Sequence, residues 1–239
     1  DRYGLPRSSH RALLPFLAPL VAWERKAPRL WPALQQRLMA RGLNTVVSAR
    51  LQPCDVFIGM SGMYLEAADY ARRKYGAKIV LERASNHIRV QKRMLQELGS
   101  TSLPSDYIIA REEAGYELAD RIAIPSSLVK QSFLDQAPHL ADKLLLNPFG
   151  VDPEMFPTRQ ATRPDGALRV VMAGAWIKRK GVDLLEQAIR AIPGAHLTHC
   201  GPLGDTPFPE GDPQFTHLGM VPQPELHQQY PPADTFSPP

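Results

Sequence analysis

The sequence predicts an α/β protein with two parallel sheets, each packed between helices. Two observations carry that prediction. Short apolar, β-prone runs alternate with helix-length segments from residue 55 onward. Strands that alternate with helices pair in parallel, because each crossover helix returns the chain to the same end of the sheet. The alternation is also interrupted by a proline-rich stretch and then restarts. That break divides the chain into an N-terminal unit at 1–150, a linker at 151–166 and a C-terminal unit at 167–239.

In the first unit, Asp55 to Gly59 reads as a strand and Met63 to Tyr75 as a helix. Lys78 to Glu82 is the next strand, and a helix follows from Ile88 to Leu98. Residues 105–119 form another helix, for which Ser105 is a suitable N-cap because its hydroxyl accepts an orphan backbone N–H. Arg121 to Pro125 is a strand, and Ser126 or Ser127 caps a helix running to Asp135. The linker begins at Pro148 and continues through Arg163-Pro-Asp-Gly166. In the second unit the order is strand 168–174, helix 181–192, strand 195–200, a Gly/Pro loop, strand 214–218, helix 223–230 and strand 233–237. Sheets of this kind bind ligands at the carboxyl ends of their strands.

Composition narrows the class. With 239 residues, 44% of them hydrophobic and 22% charged, the chain is globular and large for one domain. Cys54 and Cys200 both sit in apolar, strand-like context far apart, and read as buried thiols of a reducing, cytoplasmic compartment. No Cys/His cluster has metal-ligand spacing, so these residues point to no metal site. No apolar run reaches the ~18 residues of a membrane span. Leu13 to Ala22 is short, broken by Pro15 and Pro19, and reads as neither a span nor a signal peptide. The formal charge of +4 is concentrated at the start, where Arg2, Arg7, Arg11, Arg25, Lys26, Arg29, Arg37, Arg41 and Arg50 face only Asp1 and Glu24. Such an excess attracts polyanions or anionic lipid. With Trp23 and Trp31 flanking Arg25-Lys26, peripheral contact with the inner membrane face is one reading of this stretch and a solvated helical face is the other. Nucleic acid is not expected, since no basic-aromatic module is present. Asp1 at the start, and Pro238-Pro239 just after strand-like Ala233 to Phe236, read as the ends of a fragment.

The most informative stretch is Val170 to Leu185. An apolar run ends at Gly174, a basic loop follows, and Lys180-Gly181 opens an amphipathic helix with Val182, Leu185, Ala188, Ile189 and Ile192 on one face. Unpaired helix N–H groups and fixed positive charge converge there, which suits an anion and most often a phosphate. The spacing is not that of the Gly-x-x-x-x-Gly-Lys-Ser/Thr loop, so an ordinary strand-to-helix turn with solvated lysines stays open on these residues alone.

The wider motif string resembles a known family. It runs Glu82-Arg-Ala-Ser-Asn-His-Ile88, Tyr116 to Asp120, Ile124-Pro-Ser126, Asn147-Pro-Phe-Gly-Val-Asp152 and Phe156. It continues with Ala173-Gly174, Lys180-Gly181-Val-Asp-Leu-Leu185, Cys200-Gly201, Leu218-Gly219 and Tyr230 to Pro238. In that order these resemble the retaining family-4 glycosyltransferases of the GT-B fold, from about residue 50 to the end. The resemblance implies two Rossmann-like domains, both incomplete in this chain: an acceptor-side domain first and a nucleotide-sugar-binding domain second. It implies transfer of a hexose from a nucleotide-sugar donor to a glycan or lipid-linked acceptor with retention, with no metal and no other cofactor.

Residue by residue, the resemblance places Lys180 on the donor diphosphate, helped by Arg179 and the Gly174 turn. It places His87 beside the reacting sugar as the catalytic candidate, and Arg83 and Ser85 where acceptor or sugar would be contacted. Gly201, Met220 and Val221 fall where the nucleotide lies. Against these stand plainer readings: a helix-start histidine, an ion pair between Arg83 and Glu82 or a helix acid, and simple glycine turns. The chain also departs from the family pattern. Ala175 stands where an arginine often holds the diphosphate, Gly115 where Glu is usual, and the family's glutamate pair, separated by seven residues, does not occur. The chain by itself is therefore expected to be inactive. A non-catalytic nucleotide-sugar-binding scaffold and a GT-B nucleotide-sugar 2-epimerase remain as rival readings.

Overall fold

The computed structural model describes residues 18–19, 21–23, 32–100, 103–150, 167–226 and 233–237. It divides into two compact units, Asp1–Phe149 and Gly150–Pro239. The expected linker at 151–166 lies outside the described residues, as do most of the basic N-terminal residues and Trp31.

The first unit comprises α1 (Pro32–Arg50), β1 (Val56–Met60), α2 (Leu65–Tyr75), β2 (Lys78–Glu82), α3 (Ile88–Glu97) and α4 (Asp106–Leu118). It continues with β3 (Arg121–Ile124), α5 (Ser127–Gln136), a 3₁₀ segment (Pro138–Lys143) and β4 (Leu144–Leu146). The strands form a parallel sheet in the order β1-β2-β3-β4. Its core is built from inward β residues Phe57, Ile79, Leu81, Ile122 and Ile124, met by Ala67, Ala68 and Ala71 of α2 and by Ile109, Tyr116 and Phe133. Three alanines on one face let α2 lie close to the strands. Gly115 does the same for α4, since a Cβ there would stand 3.2 Å from Leu81 Cδ1. Both expected caps form: Ser105 Oγ accepts from the Ile108 N–H and Ser126 Oγ from the Val129 N–H. Asp120 ties three elements together, accepting from the Ile79 N–H at 2.7 Å and pairing with Arg72 at 2.5 Å.

The second unit comprises β5 (Arg169–Ala173), a 3₁₀ turn (Lys178–Lys180), α6 (Val182–Ala191), β6 (His196–Cys200), β7 (Phe215–His217), α7 (Gln223–Leu226) and β8 (Thr235–Ser237). Its sheet is parallel in the order β7-β6-β5-β8. The chain therefore leaves β5 toward one side for two strands and returns to pair β8 on the other, which makes the end of β5 a topological switch point. Val170, Met172, Leu197 and Phe215 form the core with Val182, Ile189 and Trp176. The apolar stripe of α6 is narrower than expected. Val182 and Ile189 are buried and Leu185 packs against them, but Ala188 is exposed and Ile192 is 41% exposed. Ala188 is rotated off that face, and Ile192 follows the last helical residue in extended conformation.

Candidate functional site

In the second unit the carboxyl ends of β5, β6 and β7 bring the loops 174–181, 201–205 and 218–221 to one edge. Trp176 holds the first two together. It is fully buried, its Nε1–H donates to the Pro207 carbonyl at 3.1 Å, and its backbone bridges to Leu203. The Lys178 N–H donates to Asp205 at 2.8 Å, which fixes where the basic turn begins. Lys178 and Arg179 are exposed and Lys180 is half-buried. Among the described residues none of the three pairs with a carboxylate.

Lys180 does not open α6 itself. It ends the 3₁₀ turn, and Gly181 at φ 70° separates the two in the left-handed conformation that glycine adopts without strain. Gly181 supplies no side-chain cap, and the first helical N–H bonded back to it is that of Leu185. The N–H groups of Val182, Asp183 and Leu184 therefore remain orphans of the first turn. Three cations with no carboxylate partner among the described residues thus precede orphan helix donors at a switch point, a chemistry that suits an anion. Asp183 in that first turn offsets part of the charge.

Gly201 is required for a reason other than ligand approach. A Cβ at this position, where φ is 150°, would overlap the Gly174 carbonyl, so glycine lets two site loops touch each other. Gly174 donates its N–H to Cys200 and Gly201 donates to Gly219, chaining the three loops by backbone bonds. Met220 is 75% exposed beside this edge and Val221 is half-buried.

The first unit presents its own carboxyl edge as a pocket of about 160 Å³ lined by Met60, Glu82, Arg83, Ala123, Asn147 and Phe149 among others. Arg83 is the chemical centre but its donors are committed. It is 7% exposed, donates to Glu112 at 2.9 Å, twice to the Asn86 carbonyl, and to Gln91 at 2.6 Å. Ser85 shares the Gln91 amide oxygen at 3.1 Å. Glu112 also accepts from Ser61, so a buried charge pair is satisfied on both sides, as burial of ions demands. The Tyr116 hydroxyl next along α4 is also buried, and among the described residues it has no hydrogen-bond partner.

His87 is the N-cap of α3. Its Nδ1 accepts from the Arg89 N–H at 3.4 Å and its own N–H donates to Ser132 at 2.9 Å. The ring is 2% exposed and packs against Tyr116 and Phe133 at centroid separations of 5.2 and 5.1 Å. Burial pulls its pKa down to about 4, so the ring is neutral at pH 7. An accepting Nδ1 leaves the proton on Nε2. Sequence reasoning did not single out Trp176, Asp205, His199 or His217.

Among the described residues no three His, Cys, Asp or Glu side chains converge to hold a metal ion, and no helix is long and apolar enough to cross a membrane. Of the basic N-terminal residues, Arg37 lies on α1 with its guanidinium over the Tyr107 ring at 5.4 Å.

No family model matches the chain, and no curated protein matches it at a significant level. Solved structures do. Sucrose-phosphate synthase from Thermosynechococcus elongatus aligns with a TM-score of 0.56 at 15% identity, over 84% of this chain and 55% of that one. The catalytic domain of starch synthase IV from Arabidopsis thaliana, bound to ADP and acarbose, aligns at 0.55 and 12% identity with the same coverage. A Listeria monocytogenes protein provisionally described as a UDP-N-acetylglucosamine 2-epimerase aligns at 0.45 and 11% identity, and no argument rests on it. The chain thus has the α/β GT-B architecture, two parallel-sheet Rossmann-like units, and spans about 55% of the length of the first two structures it matches.

Proposed function

We propose that this chain binds a nucleotide-sugar and belongs to a glycosyltransferase that moves a hexose to a glycan or lipid-linked acceptor with retention of configuration. The observation that carries the reading is the basic turn Lys178–Lys180. Its side chains have no carboxylate partner among the described residues, and it leads into an uncapped helix start at the switch point of a parallel sheet. A diphosphate at that edge would meet Lys180 and Arg179 and the orphan N–H groups. A lysine aimed at a departing nucleoside diphosphate neutralises charge that grows in the transition state, and interactions of that kind raise rate rather than binding alone. The turn at Gly174 and the loop at Gly201, Met220 and Val221 would take the nucleotide.

On the first unit, the pocket beside Glu82 and Arg83 is the acceptor side of the proposal. Ser85 and Arg83 would contact sugar or acceptor, Arg83 only after leaving part of its present network. His87 enters as a hydrogen-bond donor through Nε2, toward a ligand that reaches a nearly buried ring. Ala175 removes one familiar diphosphate contact, and Lys178 and Arg179 stand close enough in sequence to replace it. The alignment with the ADP-bound starch synthase domain supports the same choice of ligand class. The test is calorimetric titration of the chain with UDP-, GDP- and ADP-hexoses. Saturable binding of one of them is expected, and absence of binding by all three overturns the reading.

A further inference from the structure

The pocket at the carboxyl edge of the first sheet is built from residues that the strand register sets side by side. Met60 ends β1 opposite Glu82 of β2, and Glu82 stands opposite Ala123 of β3. Two backbone bonds fix the segments that follow the strands. The Arg83 N–H donates to the Ala123 carbonyl and the Asn147 N–H to the Ile124 carbonyl, both at 2.8 Å. Asn147 and Phe149, which follow β4, line the same cavity.

The charge in this pocket is unbalanced. Glu82 and Arg83 are the only charged residues of the lining. Arg83 is buried and already paired with buried Glu112 at 2.9 Å. Glu82 is exposed, and among the described residues its carboxylate has no ion-pair partner and no hydrogen-bond donor. Of Glu82, Arg83 and Glu112 taken together, one formal negative charge is left over, and Glu82 carries it. An anionic ligand would therefore meet a like charge with no uncommitted cation in the lining to offset it. A ligand hydroxyl would instead meet an ionised carboxylate, which can only accept.

The same lining holds large apolar side chains that the fold leaves open. Phe149 is 76% exposed and Met60 is 54% exposed, and neither joins the core of the first unit. The Asn147 side chain is exposed without a hydrogen-bond partner among the described residues, so its amide is free both to donate and to accept. A carboxylate, an amide and an aromatic ring complement a sugar ring, which has hydroxyls at its edge and C–H groups for the electron-rich aromatic face. The cavity of about 160 Å³ is smaller than the roughly 300–1,000 Å³ of sites for drug-sized ligands, and suits a single ring.

We infer that this pocket takes an uncharged sugar ring of the acceptor, with Glu82 accepting from its hydroxyls and Phe149 against its face, and that Glu82 excludes anionic acceptors. This rests on the reading of the pocket as the acceptor side of the proposed transferase. It narrows the acceptor to a glycan that presents a neutral sugar, as opposed to a uronate or a phosphorylated ring.

The test uses the whole chain and simple methyl hexosides, which carry no phosphate for the basic turn of the second unit. Methyl glucoside, galactoside and mannoside are titrated at low ionic strength and followed by ligand-observed NMR. The best binder is then compared with its own uronate, the same ring with one negative charge. In wild type the uronate is expected to bind at least about fivefold more weakly, with the gap closing in Glu82→Gln and at high salt. Phe149→Ala should weaken the neutral hexoside roughly two- to tenfold. A uronate that binds wild type as well as the neutral ring overturns the inference, whether or not the variants fold. Hexoside binding that a folded Phe149→Ala variant leaves unchanged places the sugar elsewhere and also overturns it. Absence of binding by all three hexosides overturns it as well, and leaves the proposed function standing if a nucleotide-sugar still binds. Hexoside binding without any nucleotide-sugar binding sustains the pocket's choice of a neutral sugar and overturns the proposed function alone.

Discussion

His87 carries its structural role and its proposed catalytic role at different atoms. Its Nδ1 caps α3 and its ring fills the space between Tyr116 and Phe133, whereas Nε2–H is the atom a ligand would use. The two roles separate by substitution. His87→Asn keeps a capping acceptor and loses the ring, while His87→Ala loses both. Loss of the cap should cost about 1 kcal/mol more in the alanine variant, read as the difference in unfolding free energy between the two. If Nε2 acts in turnover, both variants lower kcat in an active enzyme while leaving nucleotide affinity within a few-fold. An asparagine variant with full kcat returns His87 to capping alone. Trp176 belongs to the same scale. Its removal leaves a large void under two site loops and an unpaired Pro207 carbonyl, so Trp176→Ala should cost about 3–5 kcal/mol of stability, checked by urea unfolding.

At the scale of elements, the alternation of strands and helices was legible because most strands are short apolar runs and some helix starts carry a recognisable cap. Ser105 and Ser126 are the clearest cases, and both caps form as expected. The basic turn was legible for the same reason, as charge where a strand gives way to a helix. What was hidden is the joinery between loops distant in sequence. Gly201 against Gly174, Trp176 against Pro207 and Asp205 against the Lys178 N–H are contacts across adjacent strands, and no local pattern encodes them. The face of α6 was read too wide because spacing marks a stripe without saying how much of it the sheet covers. Gly201→Ala tests this joinery. The added Cβ must push the two loops apart, so the variant should lose stability on the order of 1–3 kcal/mol and weaken ligand binding together. A variant with wild-type stability and weakened binding would move the role of Gly201 from packing to the ligand.

For the molecule as a whole, acid weakens the first unit through groups whose folded pKa values are depressed. His87 has a folded pKa drawn below its ordinary 6.5 to about 4 by burial. The unfolded chain therefore takes up this proton first. The stability tied to a neutral ring is complete above about pH 6.5 and drains as pH falls toward 4, by on the order of 3 kcal/mol. The carboxylates act in the same direction lower down. A backbone hydrogen bond from Ile79 and the Arg72 guanidinium hold Asp120 below its ordinary range, and a hydrogen bond from Arg111 does the same for Glu66. Their contributions are present above the ordinary carboxylate range and are lost as pH falls through the depressed folded values. Urea midpoints should accordingly decline between pH 6.5 and 4 in wild type and decline less in His87→Asn. Equal declines would mean that His87 is not the group responsible.

In the proposed function the turn Lys178–Lys180 and the start of α6 hold a nucleotide diphosphate. It is tested most directly by titrating wild type and Lys180→Ala with the same nucleotide-sugar at fixed pH and ionic strength. Losing one charged hydrogen bond to phosphate costs about 1.5–3 kcal/mol, so the variant should bind roughly 10- to 150-fold more weakly with its fold intact by circular dichroism. Equal affinity in the two proteins would mean that Lys180 does not hold the diphosphate.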